Sequence, residues 1–378
     1  MFNQSTSLQV PFLNFTTLSF AAPLLEDVTE RYHPEYFGAL LYAWNGPSQV
    51  VERITALVTV QGVILPLTAP SPNSSWHLEF WGPSLKCGHV DDARRQRIES
   101  NIATFYGPGM PCLDTRPLYL SWFQDLPYIL THGWNDADIE SGSNATITIA
   151  AFPGMLSYDP CDRTVSNLTT IRNQISAYST NPLGNASEGS TMIQCQLFNS
   201  TYKADFVYLE SSQSIAVNAP VKSSDKPFTT FQYVLQWFSS DHTLSECINL
   251  DTDTLPESCD LDPTIFPIIS YQAVMEAFTS VLSGTVIDDT YEDKIIRNSS
   301  ILSTALVDTK ELAFLNNQTA GYFVNDADLG SSLAKLGKMD VCGFPQANRL
   351  TSNRSLSDAL EEMFRNLTIS LMSSDLLR

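Results

Sequence analysis

The alternation of apolar and polar positions predicts strands through most of the first 220 residues. In RITALVTVQGVILPL, residues 53–67, apolar side chains recur at every second position, and Gly62 suggests a bulge. The segments SWHLEFWG and NATITIAAF alternate in the same way. Residues 192–198 and 202–209 form two more strand-like runs, which are separated by Asn199-Ser-Thr201 and followed by a third run. These runs predict an antiparallel meander with a hairpin tip at Asn199.

Apolar residues spaced by three and four positions predict helices between these strands and toward the C-terminus. Asp91–Phe105 has acidic residues in its first turn, apolar side chains on one face and Gly107 just past its end. A second helix begins at about residue 264 and extends to Leu282, with Gly284 as its candidate C-cap. The segment FTTFQYVLQWF, residues 228–238, fits both periods, so helix and strand remain open for it.

The C-terminal segment SLSDALEEMFRNLTISLMSSDLLR predicts an amphipathic helix. Ser355 or Asp358 caps its start, and the following glutamates suit the positive end of the helix dipole. Its apolar stripe consists of Leu356, Leu360, Met363, Phe364, Leu367 and Leu371. At roughly 100° per residue, Asn366 falls about 120° from the centre of this stripe, which turns it toward solvent.

The order of these elements, strands first and helices later, predicts an α+β fold. We expect a β-sandwich-like antiparallel core with packed helices and a helical C-terminal part. Residues 1–220 form the mainly β core and residues 221–378 form a more helical region, with NAPVKSSDKP as the linker between them. One continuous domain is the alternative, since 378 residues suit one large domain or two ordinary ones.

The charge balance restricts the partners of the chain. It carries 41 acidic and 21 basic residues, a net charge of -20, and 43% of its residues are apolar, which is enough for a substantial core. An acidic protein is repelled by nucleic acid and by anionic membrane surfaces, so we expect no nucleic-acid partner. Carbohydrate and other proteins remain as partners.

Asn-x-Ser/Thr sequons are the strongest compositional signal. The chain contains eleven, at Asn3, Asn14, Asn73, Asn144, Asn167, Asn185, Asn199, Asn298, Asn317, Asn353 and Asn366. Chance would supply about four in a chain of this composition, so the excess predicts N-glycosylation in the secretory pathway. A cytosolic protein rich in asparagine, serine and threonine is the alternative explanation.

Seven cysteines are spread along the chain, as structural disulfides of a secreted protein are. They are Cys87, Cys112, Cys161, Cys195, Cys247, Cys259 and Cys342. None belongs to a CxxC pair, and we expect three bridges with one cysteine left over. Cys247 with Cys259, across a short acidic loop, is the favoured pair, and Cys87 with Cys112 is the next.

No targeting or membrane-spanning segment is recognisable in the sequence. Its start lacks the basic and apolar regions of a signal peptide. No stretch reaches about 18 apolar residues, the length that spans a bilayer. We therefore expect a chain that is secreted or lies on the extracellular side of a membrane, with its targeting segments outside the given sequence.

The sequence contains no catalytic or metal-binding signature. It has no GxSxG, HExxH, GxGxxG or P-loop pattern, and its acidic clusters lack the calcium-loop spacing. Cys87-x-His89 offers two metal ligands, which are too few, and a disulfide cysteine beside an incidental histidine is favoured. We expect no cofactor and no metal, and a role other than catalysis.

Two other clusters allow more than one interpretation. The arginines within Arg94–Arg97 suit an anion contact or a salt-bridged helix face, and their acidic neighbours favour the helix face. The aromatic pairs Trp76/Trp81 and Trp122/Phe123 suit a carbohydrate site or ordinary packing equally well.

Four stretches are similar to a known group of proteins: YAWNGPSQVVERITALVTVQGVILPL, PNSSWHLEFWGPSLKC, IQCQLFNSTYKADFVYLE and SLSDALEEMFRNLTISLMSS. They resemble the extracytoplasmic region of multi-span membrane glycoproteins of filamentous fungi (ascomycetes), whose function is unknown. The resemblance spans nearly the whole chain and includes no catalytic motif. It implies membrane-spanning helices before the ectodomain and directly after the equivalent of ALEEMFRNLTISL. It also implies glycans at Asn73, Asn199 and Asn366, which lie in the matching motifs.

Two functions follow as expectations. The first is an extracytoplasmic glycoprotein module of a fungal membrane protein, attached through segments outside this chain, with a binding or structural role. The second is a secreted acidic hydrolase that acts on carbohydrate; a product without a function of its own is a weaker third. An enzyme needs a deep pocket with converging titratable groups, whereas a binding module presents a shallow apolar or aromatic patch.

Overall fold

The structure is a computed structural model, which describes residues 10–21, 26–27, 40–41, 46–106, 115–123, 145–152, 190–210, 212–222, 225–228, 266–289, 294–315 and 353–377. Its strands are β1 (Glu26–Asp27), β2 (Leu40–Leu41), β3 (Ser74–His89), β4 (Thr115–Phe123), β5 (Thr146–Ala151), β6 (Thr191–Leu209), β7 (Ser212–Asn218), β8 (Gly284–Asp289) and β9 (Lys294–Asn298). Its α-helices are α1 (Gln49–Gln61), α2 (Asp92–Tyr106), α3 (Phe266–Leu282) and α4 (Leu356–Ser370). Short 3-10 turns are Leu18–Phe20, Ile301–Ser303, Ala305–Asp308, Leu371–Ser373 and Asp375–Leu377.

Seven of the strands form one antiparallel sheet. Its order is β3-β6-β5-β4-β8-β9, and β7 also pairs with β6. The 19-residue β6 pairs with β3 from Ile193 to Tyr208, while β5 and β7 share its other side. The predicted α+β fold with an antiparallel core and packed helices is therefore confirmed. In the described residues the core is one large sheet packed on helices, and not two large sheets packed face to face as in a β-sandwich.

Helices α1, α3 and α4 form the layer that faces the sheet in the described residues. α1 contacts both α3 and α4, α4 lies against β3, and α3 lies against β4. Phe278 of α3 meets Phe364 of α4 edge to face, with ring centroids 5.2 Å apart. Side chains of these helices and of the sheet form one buried core.

Regions on both sides of the predicted linker contribute to this core. Strands β3 to β7 precede residue 220, whereas β8, β9, α3 and α4 follow it. Just after the linker, Phe228 donates its N–H to the carbonyl of Leu197 at 2.7 Å, and Ala145 donates to the carbonyl of Phe228 at 2.8 Å. The described parts of residues 1–220 and 221–378 therefore share one sheet and one core.

The strand and bulge predicted within residues 53–67 are wrong, because residues 49–61 form α1. Its buried side chains repeat at helical spacing and are Val51, Ile54, Thr55, Val58 and Thr59. The hydroxyls of Thr55 and Thr59 donate to the carbonyls four residues earlier, which satisfies them inside the core. Burial against α3 and α4 overrides the strand preference of the β-branched residues. Gly62 is the left-handed C-cap of α1, with φ 72°.

The other helix predictions are confirmed, as α2, α3 and α4. Ser355 caps α4, since its hydroxyl accepts the N–H of Asp358 at 3.1 Å. Gly284, the candidate C-cap of α3, lies two residues after Leu282 and begins β8 with a positive φ of 123°, a conformation that favours glycine. Gly107 and residues 229–238, most of the segment that fits both periods, lie outside the described residues.

The hairpin tip predicted at Asn199 is wrong, because the strand-like runs on both sides of it belong to the single strand β6. The sequon residues Asn199, Ser200 and Thr201 pair with Pro83, Gly82 and Trp81 of β3. This pairing keeps a turn-like polar run in extended conformation. The hairpin lies between β6 and β7, where Glu210 adopts φ 51°.

The buried side of β3 and β6 changes along their length. In residues 74–81 the even-numbered side chains of β3 face inward, whereas Leu85 and Cys87 are the buried side chains farther on. β6 changes correspondingly, with the even-numbered side chains of residues 202–208 buried. The change occurs at Gly82 and Pro83, which we call the crossing. A β-carbon on Gly82 would lie 3.2 Å from the ring of Tyr202. We call the part beyond the crossing the ribbon: residues 74–81, 201–209 and β7.

Side chains cover the free edge of β3 at this crossing. The carbonyl of Pro83 accepts the hydroxyl of Tyr202 at 2.6 Å and that of Thr368 at 3.1 Å. Glu361 of α4 accepts the N–H of Cys87 at 2.8 Å. An uncovered edge strand would invite pairing with other chains, so α4 protects this one.

A disulfide joins β3 to β6 next to the crossing. Cys87 and Cys195 lie directly opposite each other, with Cα atoms 4.0 Å apart. The pairing of Cys87 with Cys112 is therefore wrong, because Cys195 is distant in sequence and becomes adjacent only through the sheet. The other cysteines lie outside the described residues and are Cys112, Cys161, Cys247, Cys259 and Cys342.

Replacement of both Cys87 and Cys195 by alanine should lower the free energy of unfolding by about 2–4 kcal/mol. The bridge spans 108 residues of sequence, so its loss releases conformational entropy in the unfolded chain. Urea denaturation of the wild type and the double variant measures the change. Peptide mapping without reduction should recover Cys87 linked to Cys195, and a Cys87–Cys112 peptide would contradict the structure.

Gly284→Ala should destabilise the sheet, whereas Gly88→Ala should not. At Gly284 φ is 123°, and a β-carbon would lie 1.7 Å from the carbonyl oxygen of Asn298. At Gly88 in β3 a β-carbon meets nothing within 4 Å. In urea denaturation we expect a loss of more than about 2 kcal/mol at Gly284 and less than about 0.5 kcal/mol at Gly88. Similar losses at both positions would disprove the close approach of β8 and β9.

Candidate glycan-bearing surface

The ribbon has one exposed face, which we call the outer face. It consists of Ser75, His77, Glu79 and Trp81 of β3, Lys203, Asp205, Val207 and Leu209 of β6, and Ser212, Ser214, Ala216 and Asn218 of β7. Trp81 is 63% exposed, near the crossing, and Leu209 is 65% exposed, at the tip. Large apolar side chains therefore lie at both ends of a shallow face, and Val207 and Ala216 lie among the polar side chains between them.

Aromatic packing closes the opposite face of the ribbon. The ring of Trp76 lies parallel to those of Phe206 and Tyr208, with centroids 4.8 Å and 5.4 Å away. The segment after α1 crosses this face, where Leu67 donates its N–H to the side-chain oxygen of Gln213 at 2.7 Å. The outer face thus has a packed layer behind it.

Cross-strand pairs occupy the centre of the outer face. Nδ1 of His77 lies 2.8 Å from a carboxylate oxygen of Asp205, and Nζ of Lys203 lies 3.6 Å from a carboxylate oxygen of Glu79. All four side chains are largely exposed, so water screens both pairs. Because each acid faces a base, the centre of the face is not a concentrated anion or cation site.

Six of the predicted sequon asparagines are described, namely Asn14, Asn73, Asn199, Asn298, Asn353 and Asn366. Asn3, Asn144, Asn167, Asn185 and Asn317 lie outside the described residues. Asn73 precedes β3 at the tip of the ribbon, and Asn199 is exposed at its base, opposite Pro83. The outer face therefore has a sequon at each end. Asn298 and Asn353 are also exposed.

The side-chain oxygens hold Asn14 and Asn73 in place. Oδ1 of Asn14 accepts the N–H and the hydroxyl of Thr16, at 3.0 Å and 2.5 Å. Oδ1 of Asn73 accepts the N–H of Glu210 at 3.0 Å, which ties this sequon to the turn between β6 and β7. An N-glycan is attached to Nδ2. These hydrogen bonds therefore orient the amides without using the atom that would carry the sugar.

Tyr271 holds Asn199 in the same way. Its hydroxyl reaches from α3 and donates to Oδ1 of Asn199 at 2.9 Å. Burial raises the pKa of Tyr271 above its ordinary value, which already lies well above physiological pH, so the hydroxyl keeps its proton. Because Oδ1 and Nδ2 lie on opposite sides of the amide, this contact directs Nδ2 away from α3.

Asn366 does not face solvent, so the orientation predicted from its angle to the apolar stripe is wrong. Its side chain is 9% exposed, and Nδ2 donates to the carbonyl oxygen of Gly62 at 3.0 Å. α1 packs against α4, and Ser370, one turn after Asn366, accepts the N–H of Leu65 from the segment that follows α1. Thr368 is buried on another side of α4, where its hydroxyl donates to the carbonyl of Pro83 in β3. A glycan on Asn366 is incompatible with this packing, because the acceptor nitrogen is used inside the fold.

Two more tyrosines with raised pKa values, Tyr202 and Tyr119, have structural contacts. Burial raises the pKa of Tyr202 to about 12 and that of Tyr119 further. Tyr119 donates to the carbonyl of Leu282 at 2.8 Å, and Tyr202 donates to that of Pro83. A buried hydroxyl that donates to a backbone carbonyl stabilises packing and is poorly suited to proton transfer.

The remaining candidates from the sequence are packing or surface contacts. Cys87 is bonded to Cys195, and the described residues contain no group of three metal-ligating side chains. Arg95 forms an ion pair with Glu99 at 2.9 Å along α2, which matches the salt-bridged helix face. Trp76, Trp122 and Phe123 pack against the core, whereas Trp81 does not.

Sequence reasoning missed how Tyr271 and Trp81 relate to Asn199. The position of α3 brings Tyr271 to the sequon, and the β3–β6 register places Trp81 opposite Thr201, the third residue of that sequon. Trp81 was recognisable as an aromatic candidate. No local signal links it to a sequon so far along the chain.

Comparison with other proteins identifies no relative. No family model matches the chain, and no curated protein or solved structure is significantly similar to it. Over the residues that the structure describes, no helix combines the length and the apolar character needed to cross a membrane.

Asn366→Asp should destabilise the unglycosylated protein by about 1–3 kcal/mol, because a carboxylate would face the carbonyl of Gly62 without a donor. Asn353→Asp, which removes another sequon at an exposed position, should change stability by less than about 0.5 kcal/mol. Urea denaturation measures both. Relative to wild type, the Asn366 variant should recover stability at about pH 4, where a protonated carboxyl can donate. Equal effects at both positions would contradict the buried amide contact.

Proposed function

We propose that this chain is an extracytoplasmic, N-glycosylated module with a binding or structural role. Its resemblance to ectodomains of filamentous-fungal membrane proteins supports attachment to a membrane through segments outside the given sequence. The observation that carries the proposal is the geometry of Asn73 and Asn199. Both lie at the ends of the exposed outer face, and both are held by Oδ1 with Nδ2 left for a sugar.

The disulfide supports the same compartment. Cys87 and Cys195 are buried in the sheet. Bridges of this structural kind persist in oxidising compartments such as the secretory pathway and the cell exterior, and are rare in the cytosol. Sequons and a bridge together favour an extracytoplasmic module over an Asn-rich cytosolic protein.

A non-catalytic role agrees with the chemistry of the described surface. The raised tyrosine pKa values belong to groups engaged in packing, and the acid–base pairs of the outer face are open to water. Catalysis requires converging groups in a site that excludes water. The outer face is instead a firm, shallow surface that suits contact with a carbohydrate or another protein.

Secretion in a eukaryotic host tests the proposal. Expressed behind a signal sequence, the chain should be secreted and should lose mass on treatment with an endoglycosidase. Mass spectrometry of its peptides should find glycans at Asn73 and Asn199 and none at Asn366 in the folded fraction. The physical reason is the availability of Nδ2 at the first two sites and its burial at the third.

Two outcomes would contradict this proposal. Absence of any mass shift would refute the extracytoplasmic assignment. Release of reducing sugars from fungal cell-wall polysaccharide by the purified secreted chain would favour the hydrolase instead. Asn73→Gln/Asn199→Gln, with both sequons removed, serves as the control for the mass analysis.

A further inference from the structure

We propose that Trp81 is the packing platform for the innermost sugar of an N-glycan on Asn199. This inference rests on the proposed function, since it requires a glycan at that position. It goes beyond the proposed function by naming a ligand for the exposed side chain of Trp81, and this ligand explains why the side chain is exposed. The ligand is N-acetylglucosamine linked to the chain itself.

The β3–β6 register brings the two residues together. Trp81 pairs with Thr201, and Pro83 pairs with Asn199, so that Trp81 and Asn199 are diagonal neighbours on one face. Diagonal neighbours in an antiparallel pair have Cα atoms about 7–8 Å apart, which is within reach of an aromatic side chain.

The hydrogen-bond pattern also brings Trp81 close to Thr201, the third residue of the sequon. Pro83 has no N–H, and its carbonyl binds the hydroxyls of Tyr202 and Thr368, so the Pro83–Asn199 pair is not hydrogen-bonded across the strands. Pairs two residues apart share this character, which makes Trp81–Thr201 a non-hydrogen-bonded pair as well. Side chains of such pairs lie closest together. Trp81 therefore stands directly beside the sequon.

The orientation of Asn199 directs a sugar toward the same place. The hydroxyl of Tyr271 holds Oδ1 of Asn199 toward α3, and the side of Asn199 that faces away from α3 is exposed. A glycan leaving Nδ2 must extend over the outer face of the ribbon. On that face Pro83 lies opposite Asn199, and Trp81 is the next side chain along β3.

The chemistry of the indole matches this occupant. An N-acetylglucosamine ring carries C–H groups on one face, which pack on the electron-rich face of an aromatic ring and remove apolar area from water. Trp81 is 63% exposed, whereas Trp76 on the opposite face stacks on Phe206. The polar neighbours His77 and Glu79 are engaged in cross-strand pairs. Trp81 is thus the side chain beside Asn199 that offers an open apolar surface.

Hydroxyl-radical footprinting of the secreted protein tests the contact. The glycans are first trimmed enzymatically to single N-acetylglucosamine residues, and oxidation of Trp81 is followed by mass spectrometry. Trp81 should react at least about threefold more slowly in the wild type than in Thr201→Ala, which removes the sequon and keeps Asn199. Thr201→Ser keeps the sequon and should retain the protection wherever its Asn199 is occupied.

Leu209 supplies the internal control, since it is 65% exposed on the same face but lies at the other end of the ribbon. Its oxidation should be equal in all three proteins. Equal oxidation of Trp81 with Asn199 fully occupied would overturn the inference and leave the proposed function standing. A glycoprotein without sugar on Asn199 would overturn the contact and the assignment of that sequon together. A slower reaction of both Trp81 and Leu209 would indicate a change of the whole ribbon and would also overturn the inference.

Discussion

The antiparallel register between β3 and β6 is the constraint on which the other features of this structure depend. It places Cys87 opposite Cys195, so the longest strand pair of the sheet is also covalently locked. The same register sets Trp81 and Pro83 beside the Asn199 sequon. A shift by one residue would turn every side chain of β3 to the other face of the sheet, and the aromatic packing behind the ribbon would be lost.

The crossing at Gly82 and Pro83 connects this strand pair to the helices. A side chain at Gly82 would make tight contacts with the rings of Phe80 and Tyr202, and Pro83 has no N–H that needs a partner. Its carbonyl instead joins the hydroxyls of Tyr202 and Thr368. Sheet, ribbon and α4 therefore meet at one backbone oxygen. Because buried polar groups are costly when unpaired, these bonds fix where α4 lies on β3.

The position of α4 in turn decides which sequons remain accessible. By packing against α1 as well as β3, α4 turns the amide of Asn366 onto the carbonyl of Gly62. Asn73 and Asn199 have amide oxygens held by a backbone N–H and by a tyrosine hydroxyl, which leaves the nitrogen on the surface side. The hydrogen-bonding state of each amide therefore separates sequons that look alike in sequence.

Local pattern was sufficient for the elements whose neighbours agree with their intrinsic preferences. Alternation located β3, β5 and β7, and helical spacing located α2, α3 and α4. The local pattern gave a wrong prediction for α1. Its β-branched residues favour a strand, but α3 and α4 bury one face of it as a helix. The local pattern failed again in the middle of β6, where a polar run resembles a turn and pairing with β3 keeps it extended.

By itself the sequence determined the α+β class, the acidic character, and which residues are chemically able to form bridges or carry glycans, because these follow from residue type and short-range period. The tertiary structure alone decided that Cys195 is the partner of Cys87, that Tyr271 and Trp81 lie at Asn199, and that Asn366 is buried. Each of these depends on the register or packing of segments that are distant in sequence, and local propensities do not encode such contacts.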